Sequence, residues 1–555
     1  MTALEISAPP AQRRAWVSRK VAVRLAWALW FLAYALLSAV WPRDADFDVM
    51  HYHVHNGWSA MQGRLHQDLA PAEMHSFLNP TYNIALWWLI ERLPGPGVAF
   101  LIGLVQAALL PVLYGLSRQV ARATGFALPA WGAVVIAMAG LTCAPAWTFF
   151  ASLRNDHLGA MAFLAGLYFI LRAQSARPGA MRGWAGAALA AGLVGAAAGL
   201  KLTNMIYVPA FAVFALAMAP DWTLRIKWAI AAALAGAAAL AVCAGPWMWT
   251  MWQAFGNPVF PKFASAFPGP DAPIDVSRDT RYLPANLLEA ITLPIHATFE
   301  GRHITEGRMM DLRLLLGYGA SLILAALAMT RRNLPRAAIA LASSYLVLFA
   351  VWVALFAIMR YAAAAWMLAP LLAWVTYRAA GWPWPTGWKG AGLALCGAAV
   401  LVLSTSPERV RRAPWISPVE PYAWAQSPAG LDTDGALIFL AARFPSAFTA
   451  PAFPNARLTH IDAQEWSAPF LAPYRRRIEA AVAAHDGPMF VLHCAPEMLD
   501  PEDPTRLEVA YTAELALERD GPAYGLSLVP GSCREVPTSF STSLTIWQIC
   551  EVTGP

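Results

Sequence analysis

The chain has 555 residues, of which 58% are hydrophobic and only 13% are charged, and its mean hydropathy is +0.46. A soluble protein carries about 25% charged residues, so this composition excludes an ordinary water-soluble domain and indicates many membrane-spanning helices. The net charge of +6 does not indicate a nucleic-acid partner, because the basic residues follow the membrane topology described below.

Eleven apolar runs follow a basic N-terminal segment. A helix needs roughly 20 apolar residues to cross a bilayer, so each run, with its flanking residues, is a predicted membrane helix. If residues 1–24 lie in the cytoplasm, the turns on the same side are rich in Arg and Lys, as expected for cytoplasmic turns. The runs lie at about 25–41, 97–117, 129–151, 157–171, 183–200, 203–219, 228–249, 314–329, 337–359, 361–377 and 390–404.

This orientation places the more polar parts of the chain on the outer side of the membrane. They are a first outer loop at 42–96, a long outer loop at 250–313 and a C-terminal segment at 405–555. We therefore predict an all-α polytopic membrane protein with about 11 transmembrane helices over 1–404, followed by a soluble α/β domain over 405–555 on the outer face. The long loop is expected to fold over the membrane face as a lid, since loops of this length are rarely structureless.

The C-terminal segment has the composition of a soluble domain. Its pattern predicts helices near 463–485 and 502–518 and strands near 488–494, 524–530 and 541–551. Cys533 and Cys550 flank the last predicted hairpin. An oxidising compartment would allow them to form a disulfide, and two free thiols are the alternative.

The first outer loop carries three acidic residues at alternate positions, directly after the first apolar run. Asp44, Asp46 and Asp48 lie in the sequence RDADFDVM, so in an extended chain their side chains would share one face. A carboxylate just outside the bilayer can take a proton from an acceptor hydroxyl, and apolar surroundings raise its pKa and strengthen it as a base. These acids are candidate general bases, although the solvated start of a loop has the same pattern.

Histidines also alternate in this loop, at His51, His53 and His55. With acidic residues they form a candidate site for a divalent metal such as Mg²⁺ or Mn²⁺, while the same side chains could serve only as hydrogen-bonding groups. No HExxH motif accompanies them, and the sequence makes no cofactor certain. The candidate ligands are Asp46, Asp48, His53 and Asp156.

Further charged residues lie at predicted outer ends of membrane helices, where ionisable groups are costly and often functional. Asp156 lies at a turn between two runs and is a candidate second acid, with Arg154 as a candidate partner. Lys201 ends an apolar run, and Arg360 with Tyr361 lies between two later runs. Both cations are candidates for binding a lipid-linked phosphate, and anchoring at the membrane interface is the alternative.

The long outer loop adds arginines that suit bidentate hydrogen bonds to phosphate. They are Arg278, Arg281, Arg302, Arg308 and Arg313. Any of them could clamp the phosphate of a substrate that lies beneath the loop.

The order of these features resembles the GT-C superfamily of membrane glycosyltransferases, which includes protein O-mannosyltransferases and the lipid A aminoarabinose transferase. The shared features are a cytoplasmic N-terminus, an acid-bearing first outer loop, a second acid at the next outer turn, a long outer loop, a late Arg-Tyr pair and an outer C-terminal domain. The stretch DFDVMHYHVHNGWSAMQGRLHQDLAPAEMHSFLNP is also similar to the first loop of uncharacterised bacterial GT-C-like proteins. The WWDYG-type signature of oligosaccharyltransferase is absent, so protein N-glycosylation is not expected.

The resemblance implies an inverting transfer of a sugar from a polyprenyl-phosphate donor to a lipid, glycan or protein acceptor, on the periplasmic face of a bacterial inner membrane. It implies that Asp48, or its neighbour Asp46, is the general base and that Asp156 is the second acid. Some members of the superfamily use a divalent metal and others do not. The residues assigned to the donor phosphate are Lys201, Arg360, Arg278 and Arg281, and those assigned to substrate contacts are Tyr52, His53, Arg64 and Tyr361.

Other classes of protein share parts of this pattern. A flippase or transporter of lipid-linked saccharide is expected to place charges or broken helices at mid-membrane, whereas nearly all charges here lie at outer helix ends. An O-antigen ligase or polymerase would act on the same substrate class, but would depend on outer-loop Arg and His rather than on first-loop acids. A structural or assembly protein would not need so polar a first loop.

Overall fold

The architecture is that of a computed structural model, and it is predominantly helical. The residues described are 10–174, 181–219, 221–272, 279–301, 303–331, 333–383, 387–441, 445–461, 468–495, 498–500, 503–508, 517–518, 524–541 and 545–554. Helices and strands are numbered below in chain order.

Every apolar run predicted from the sequence coincides with one helix or with two consecutive helices. The helices are α1 (Pro10–Val40), α2 (Val54–Met61), α3 (Thr81–Ile90), α4 (Gly95–Ala107), α5 (Leu109–Thr124), α6 (Ala130–Leu141), α7 (Ala144–Thr148), α8 (Asp156–Gln174), α9 (Met181–Leu200), α10 (Tyr207–Met218), α11 (Trp222–Phe255), α12 (Leu287–Phe299), α13 (Arg313–Thr330), α14 (Arg336–Leu355), α15 (Ala363–Ala379), α16 (Gly387–Leu403) and α17 (Ala468–Ala483). The run at 129–151 is divided between α6 and α7, where Pro145 in the first turn of α7 lacks the N–H that would continue the preceding helix.

Six helical segments are long and apolar enough to cross a membrane, judged by length and composition among the described residues. They are Lys20–Val40, Gly95–Thr124, Gly183–Leu200, Trp222–Phe255, Arg313–Thr330 and Arg336–Leu355. Other apolar helices have only 10–17 residues, so the predicted number of about 11 spans is not established by helix length. Only 11% of the apolar window of α11 is buried, and an apolar surface of this kind is stable in lipid rather than in water. The protein is therefore a membrane protein with several spans.

The first outer loop is folded and largely buried. A π-helix over Val49–His53 continues into α2, and α3 packs against α2. Gly57 allows this close packing, because a Cβ at that position would lie 2.3 Å from the carbonyl oxygen of Asn83. The backbone is helical at Asp48, so the condition under which the three acids would share one face, an extended chain, is not met there. The physical reason is that a helix pairs the backbone polar groups of a buried segment internally.

The C-terminal segment forms a mixed sheet with the strand order β4-β3-β5-β10-β8, and β9 also pairs with β10. The strands are β1 (Arg43–Asp44), β2 (Arg412–Ala413), β3 (Leu437–Leu440), β4 (Arg457–His460), β5 (Met489–Ala495), β6 (Met498–Asp500), β7 (Asp503–Glu508), β8 (Ser527–Leu528), β9 (Arg534–Val536) and β10 (Ile546–Thr553). β3 runs parallel to β4 and β5, whereas β10 runs antiparallel to β5. The sheet and α17 agree with the predicted α/β character of this segment.

The structure decides one alternative left open for the C-terminal segment and corrects one predicted helix. Cys533 and Cys550 form a disulfide, as one of the two alternatives predicted. The helix predicted over 502–518 is wrong at its start, where β7 pairs with β6. Pro504 lies inside β7, and a proline at this place would break a helix.

The first outer loop and the C-terminal sheet share one hydrophobic core. Trp58 of the loop packs in the same cluster as Phe448 and Trp547 of the C-terminal segment. β1 of the loop also pairs antiparallel with β2, which follows the last apolar run. The sheet therefore covers and positions the loop, while the division of the chain into domains near residue 404 stays a prediction.

Candidate active site

Charged side chains from four separate parts of the chain meet at the ends of helices. Asp48 follows α1, Asp156 is the first residue of α8, Lys201 follows α9, and Arg360 lies in a 3₁₀ turn between α14 and α15. A charged side chain at a helix end can reach water while the apolar helix remains in lipid. The fold therefore concentrates polar groups at one end of an otherwise apolar bundle.

Two of the predicted acids contact two of the predicted phosphate-binding cations. The guanidinium of Arg360 donates a short hydrogen bond to the Asp48 carboxylate. Lys201 Nζ lies 2.7 Å from Asp156 Oδ1. The side chains of Asp48 and Asp156 are only 8% and 1% exposed, so each contacting cation offsets the cost of burying an ionised carboxylate.

Arg154 holds the other two acids of the first loop. Its Nη1 lies 2.7 Å from Asp46 Oδ2, and its Nε lies 3.5 Å from Asp44 Oδ2. The sequence offered Arg154 as a partner of Asp156, and this is wrong, because Lys201 takes that position. The turn before α8 directs Arg154 toward the first loop instead.

Tyr361 lies between the two cations predicted to bind phosphate. Lys201 Nζ and Arg360 Cζ are each 5.4 Å from the centre of its ring, within the range of a cation–π contact. The ring of Phe356 packs edge-on against Tyr361, with the ring centres 5.2 Å apart. The cations and the aromatic ring predicted from sequence thus form one cluster.

The electrostatic surroundings separate the two candidate bases. Burial opposes ionisation of Asp48, but Arg360, followed by Arg154 and Lys201, holds its pKa well below its usual range. Burial raises the pKa of Asp46 to about 6, against the attraction of Arg154. Asp48 is therefore ionised at neutral pH, whereas Asp46 exchanges its proton near the pH at which proton transfer is efficient.

Three buried polar atoms of the cluster have no hydrogen-bond partner within the described part of the chain. They are Arg154 Nη2, Asp156 Oδ2 and Arg360 Nε. Buried polar groups are normally paired, so unpaired ones point to a site for a ligand or ordered water. Two guanidinium donors directed into one cluster suit an anion.

Histidine and tyrosine rings of the first loop pack beside these charges. His53 Nδ1 lies 2.7 Å from Asn83 Oδ1, and Tyr52 stacks on His75 with ring centres 5.0 Å apart. Burial lowers the pKa of His53 to about 4 and that of His75 to about 3, so both rings are neutral at pH 7. Sequence analysis missed His75 and Asn83, although His75 lies in the stretch that resembles other first loops.

The candidate metal ligands of the sequence analysis are already paired with other groups. They are Asp46, Asp48, His53 and Asp156. Among the described residues, two groups of His, Cys, Asp or Glu bring their ligand atoms within 4.8 Å of one another, and neither contains these four. A metal requirement at this cluster stays a prediction.

An apolar groove of about 640 Å³ opens beside α12, α13 and α14. Its lining includes Leu287, Ile291, Tyr318, Phe349 and Val353. α14 runs from this groove into the turn that carries Arg360. The groove is thus lined mainly by apolar side chains and lies beside the helix that precedes the turn of Arg360.

No protein-family model and no curated protein matches the chain. It is similar to the crystal structure of ArnT from Cupriavidus metallidurans in the apo state, with 14% identity, a TM-score of 0.39, and 97% of this chain and 98% of that chain covered. The crystal structure of ArnT from Cupriavidus metallidurans bound to undecaprenyl phosphate gives 15% identity, a TM-score of 0.41, and coverage of 96% and 98%. ArnT is a GT-C lipid A aminoarabinose transferase, a member of the superfamily that the order of features in this sequence resembles.

Several of the predicted site residues lie outside the charged cluster or outside the described residues. Arg64 donates to Asp68 at 2.7 Å and also to backbone carbonyls of the C-terminal domain, and every nitrogen of its guanidinium is engaged. Arg281 is half-exposed and pairs with Asp279 at 2.7 Å and Glu306 at 3.3 Å. Arg278 and Arg302 lie outside the described residues. Phosphate binding by Arg278 and Arg281 and substrate contact by Arg64 stay predictions.

Arg313 differs from its sequence-based prediction. It is fully buried, its Nη1 lies 2.9 Å from Asp311 Oδ1, and its other nitrogens donate to Ala139 and Thr142. A guanidinium held in this way has no free face for phosphate. Arg313 is a structural residue, and its prediction as a phosphate clamp is wrong.

Proposed function

We propose that the protein transfers a sugar from a polyprenyl-phosphate-linked donor to an acceptor at the periplasmic face of the membrane, with inversion at the anomeric carbon. The contact between Asp48 and Arg360 carries the proposal, because it brings a candidate base and a phosphate-binding cation together in one buried cluster. Lipid, glycan and protein acceptors all offer the hydroxyl that such a base would deprotonate.

The donor phosphate would bind at Arg360 and Lys201. Arg360 Nε is buried without a hydrogen-bond partner among the described residues, and both cations flank the ring of Tyr361. A phosphate accepts several charge-assisted hydrogen bonds at once, which a guanidinium and an ammonium together can supply. These donors would stabilise the phosphate as negative charge develops on the leaving group.

The prenyl chain of the donor would lie in the apolar groove beside α12 and α14. Its lining offers aliphatic and aromatic side chains, and α14 leads from the groove into the turn of Arg360. The apolar tail of a lipid phosphate matches the lining of the groove, and its anionic head matches the cations of the cluster. The two sites together favour a lipid phosphate over a soluble sugar nucleotide.

The reaction conserves charge within the cluster. Asp48 takes the proton of the acceptor hydroxyl, the acceptor oxygen forms a bond to the anomeric carbon, and the bond between that carbon and the phosphate oxygen breaks. The carboxylate thereby loses one negative charge and the phosphate gains one. Arg360 contacts Asp48, and its Nε has no partner among the described residues, so the guanidinium can stabilise the negative charge first on Asp48 and then on the phosphate.

The low pKa of Asp48 makes it a weak base until the donor binds. When the donor phosphate pairs with Arg360, Asp48 loses part of a cation's attraction and gains a negative neighbour. Both effects raise its pKa and strengthen it as a base. Asp46, whose pKa is already about 6, is the alternative base, and Asp156 would hold Lys201 toward the phosphate.

The positions of the charges favour surface chemistry over transport. Asp48, Asp156, Lys201 and Arg360 all lie at helix ends, whereas a transporter places its binding groups near mid-membrane. The N-terminus would be cytoplasmic and the C-terminal domain periplasmic, as the distribution of basic residues predicts. A divalent metal at the cluster, Mg²⁺ or Mn²⁺, remains an optional part of the proposal.

The test is sugar transfer from radiolabelled polyprenyl-phosphate sugars by purified protein in lipid nanodiscs. Removing a general base is expected to slow transfer by about 10²–10⁴-fold, so Asp48→Asn should lose activity while still binding polyprenyl phosphate. Arg360→Gln should lose both polyprenyl-phosphate binding and sugar transfer, because the guanidinium that donates hydrogen bonds to the phosphate is removed. Asp486→Asn is the matched control, since Asp486 is exposed in the C-terminal domain.

The outcomes separate the alternatives. If Asp46→Asn abolishes transfer and Asp48→Asn does not, the base is Asp46. If the wild-type protein transfers sugar from none of these donors but moves a labelled lipid-linked sugar across vesicle membranes, the transferase is excluded and a transporter is indicated.

A further inference from the structure

Three potential metal ligands lie together at the C-terminal end of α12, outside the charged cluster. His296 is in the last turn of the helix, Glu300 caps it, and His303 follows in the next turn. The ligand atoms of these three side chains all lie within 4.8 Å of one another. The side chains of His303 and Glu300 are 42% and 62% exposed, so an ion can reach them from solvent.

The spacing of the ligand atoms suits a small transition-metal ion. Zinc binds histidine nitrogen and carboxylate oxygen at about 2.0–2.2 Å, so two ligands of a tetrahedral site are about 3.4 Å apart. His303 Nε2 and Glu300 Oε2 are 3.0 Å apart, and the other pairs are no more than 4.8 Å apart. The first separation is close to the required 3.4 Å, and the other pairs lie within the 4.8 Å limit, so side-chain rotation would bring the three atoms to three corners of a tetrahedron.

The backbone brings the third ligand back to the helix. His296 and Glu300 are four residues apart and lie on one face of the helix end. Gly301 then turns the chain at φ 58°, and a Cβ there would lie 2.4 Å from the Met309 carbonyl oxygen. Glycine is therefore needed at this turn, which places His303 against Glu300.

We propose that His296, Glu300 and His303 bind a divalent transition-metal ion of the zinc class. Two imidazoles and one carboxylate form a donor set that favours zinc over magnesium or calcium, which prefer oxygen ligands. The exposed side leaves the fourth position for water. The site does not depend on the proposed transferase activity, and it shares no residue with the charged cluster.

The metal would fix the position of the turn that carries Arg360. The residue after His303 is Ile304, whose carbonyl accepts a hydrogen bond of 2.9 Å from the amide of Met359. Met359 directly precedes Arg360, and α12 also lines the apolar groove. A metal that joins α12 to His303 therefore restrains a segment that contacts both the groove and the turn of Arg360.

The first experiment is a calorimetric titration of the full-length protein in nanodiscs with zinc chloride alone. The protein is purified with an affinity tag that lacks histidine. Loss of even an indirect supporting residue weakens metal sites by about 10–100-fold, so His296→Ala and His303→Ala should each weaken zinc binding by more than about tenfold. His66→Ala, which removes an exposed histidine elsewhere, is the matched control.

Hydrogen exchange supplies a second readout that does not require activity. Zinc is expected to slow exchange in peptides that cover 296–304 and 357–362 in the wild-type protein and in His66→Ala, but not in the His296→Ala, His303→Ala double variant. Wild-type melting without metal should match that of the variants, because the ligands are at the surface. The proposal is overturned if wild type does not bind zinc, or if the double variant binds zinc as tightly as wild type does.

Discussion

Replacement of Arg360 by Gln is expected to destabilise the protein in a pH-dependent way. The change leaves Asp48, whose side chain is only 8% exposed, without its contacting cation. Breaking a buried pair from one side costs about 3–5 kcal/mol, and the lower value applies because Arg154 and Lys201 remain nearby. The wild-type pKa of Asp48 is depressed, so its contribution to stability is present above the unfolded pKa of about 3.9 and is lost as the pH falls.

In the Arg360→Gln variant, ionisation of Asp48 has the opposite effect on stability. Burial then raises the pKa of Asp48 above its unfolded value, so the ionised form destabilises the protein at neutral pH and the penalty disappears toward pH 4. The difference in stability between wild type and Arg360→Gln should therefore be largest near pH 7–8 and narrow as the pH falls.

The size of the effect follows from the length of the chain. Unfolding entropy is about 2.1 cal/mol/K per residue, or about 1.2 kcal/mol/K for 555 residues, so about 3 kcal/mol lowers the melting temperature by about 2–3 °C. The assay is tryptophan fluorescence during heating in detergent, at pH values from 4.5 to 8. The Asp48→Asn, Arg360→Gln double variant should recover most of the loss, because no buried charge is left unpaired. This account of the Asp48–Arg360 pair would be refuted if the difference in melting temperature between wild type and Arg360→Gln did not change with pH. It would also be refuted if the double variant were as unstable as the single variant.

Three further predictions concern other parts of the molecule. Because the pKa of Asp46 is raised to about 6 in the folded protein, its protonated form contributes stability below about pH 4, and this contribution is lost as the pH rises through about 6. Asp46→Asn should therefore flatten the pH dependence of the melting temperature between pH 4 and 7. Gly159→Ala places a Cβ 2.1 Å from Asn204 Oδ1 and should cost about 1–3 kcal/mol of stability and lower activity. Gly192→Ala should melt like wild type, because a Cβ there has no atom of the described residues within 4 Å. Arg64→Ala breaks the buried ion pair with Asp68 and should lower the free energy of unfolding by about 3–5 kcal/mol. The expected result is faster proteolysis of the C-terminal domain, and an unchanged cleavage rate would contradict a stabilising role for this ion pair.

The helical part of the fold was predictable because its determinants are local. An apolar run of membrane-spanning length forms a helix in lipid, where every backbone group must be paired within its own segment. The eleven runs therefore coincide with helices, and prolines such as Pro145 mark where a run divides. The number of spans does not follow in the same way, because several of those helices are shorter than a bilayer requires.

The candidate site was predictable in its residue types but not in its pairings. Asp156, Lys201 and Arg360 could be selected because each is a charge at the end of an apolar run, and Asp48 because it belongs to the alternating acids of the first loop. Arg313 has the same local pattern and is a buried structural residue. No local feature distinguishes an arginine that faces a cluster from one that is enclosed between helices.

By itself, the amino-acid sequence determined the membrane character of the chain, the places of its helices and the acid-rich first loop. These properties depend on hydropathy and on neighbours a few residues apart. Only the tertiary structure decided that Asp48 contacts Arg360, 312 residues away, and that Arg154 serves Asp46 rather than Asp156. Such pairings depend on how helices pack against one another, and the contacts that set this packing join residues far apart in the chain.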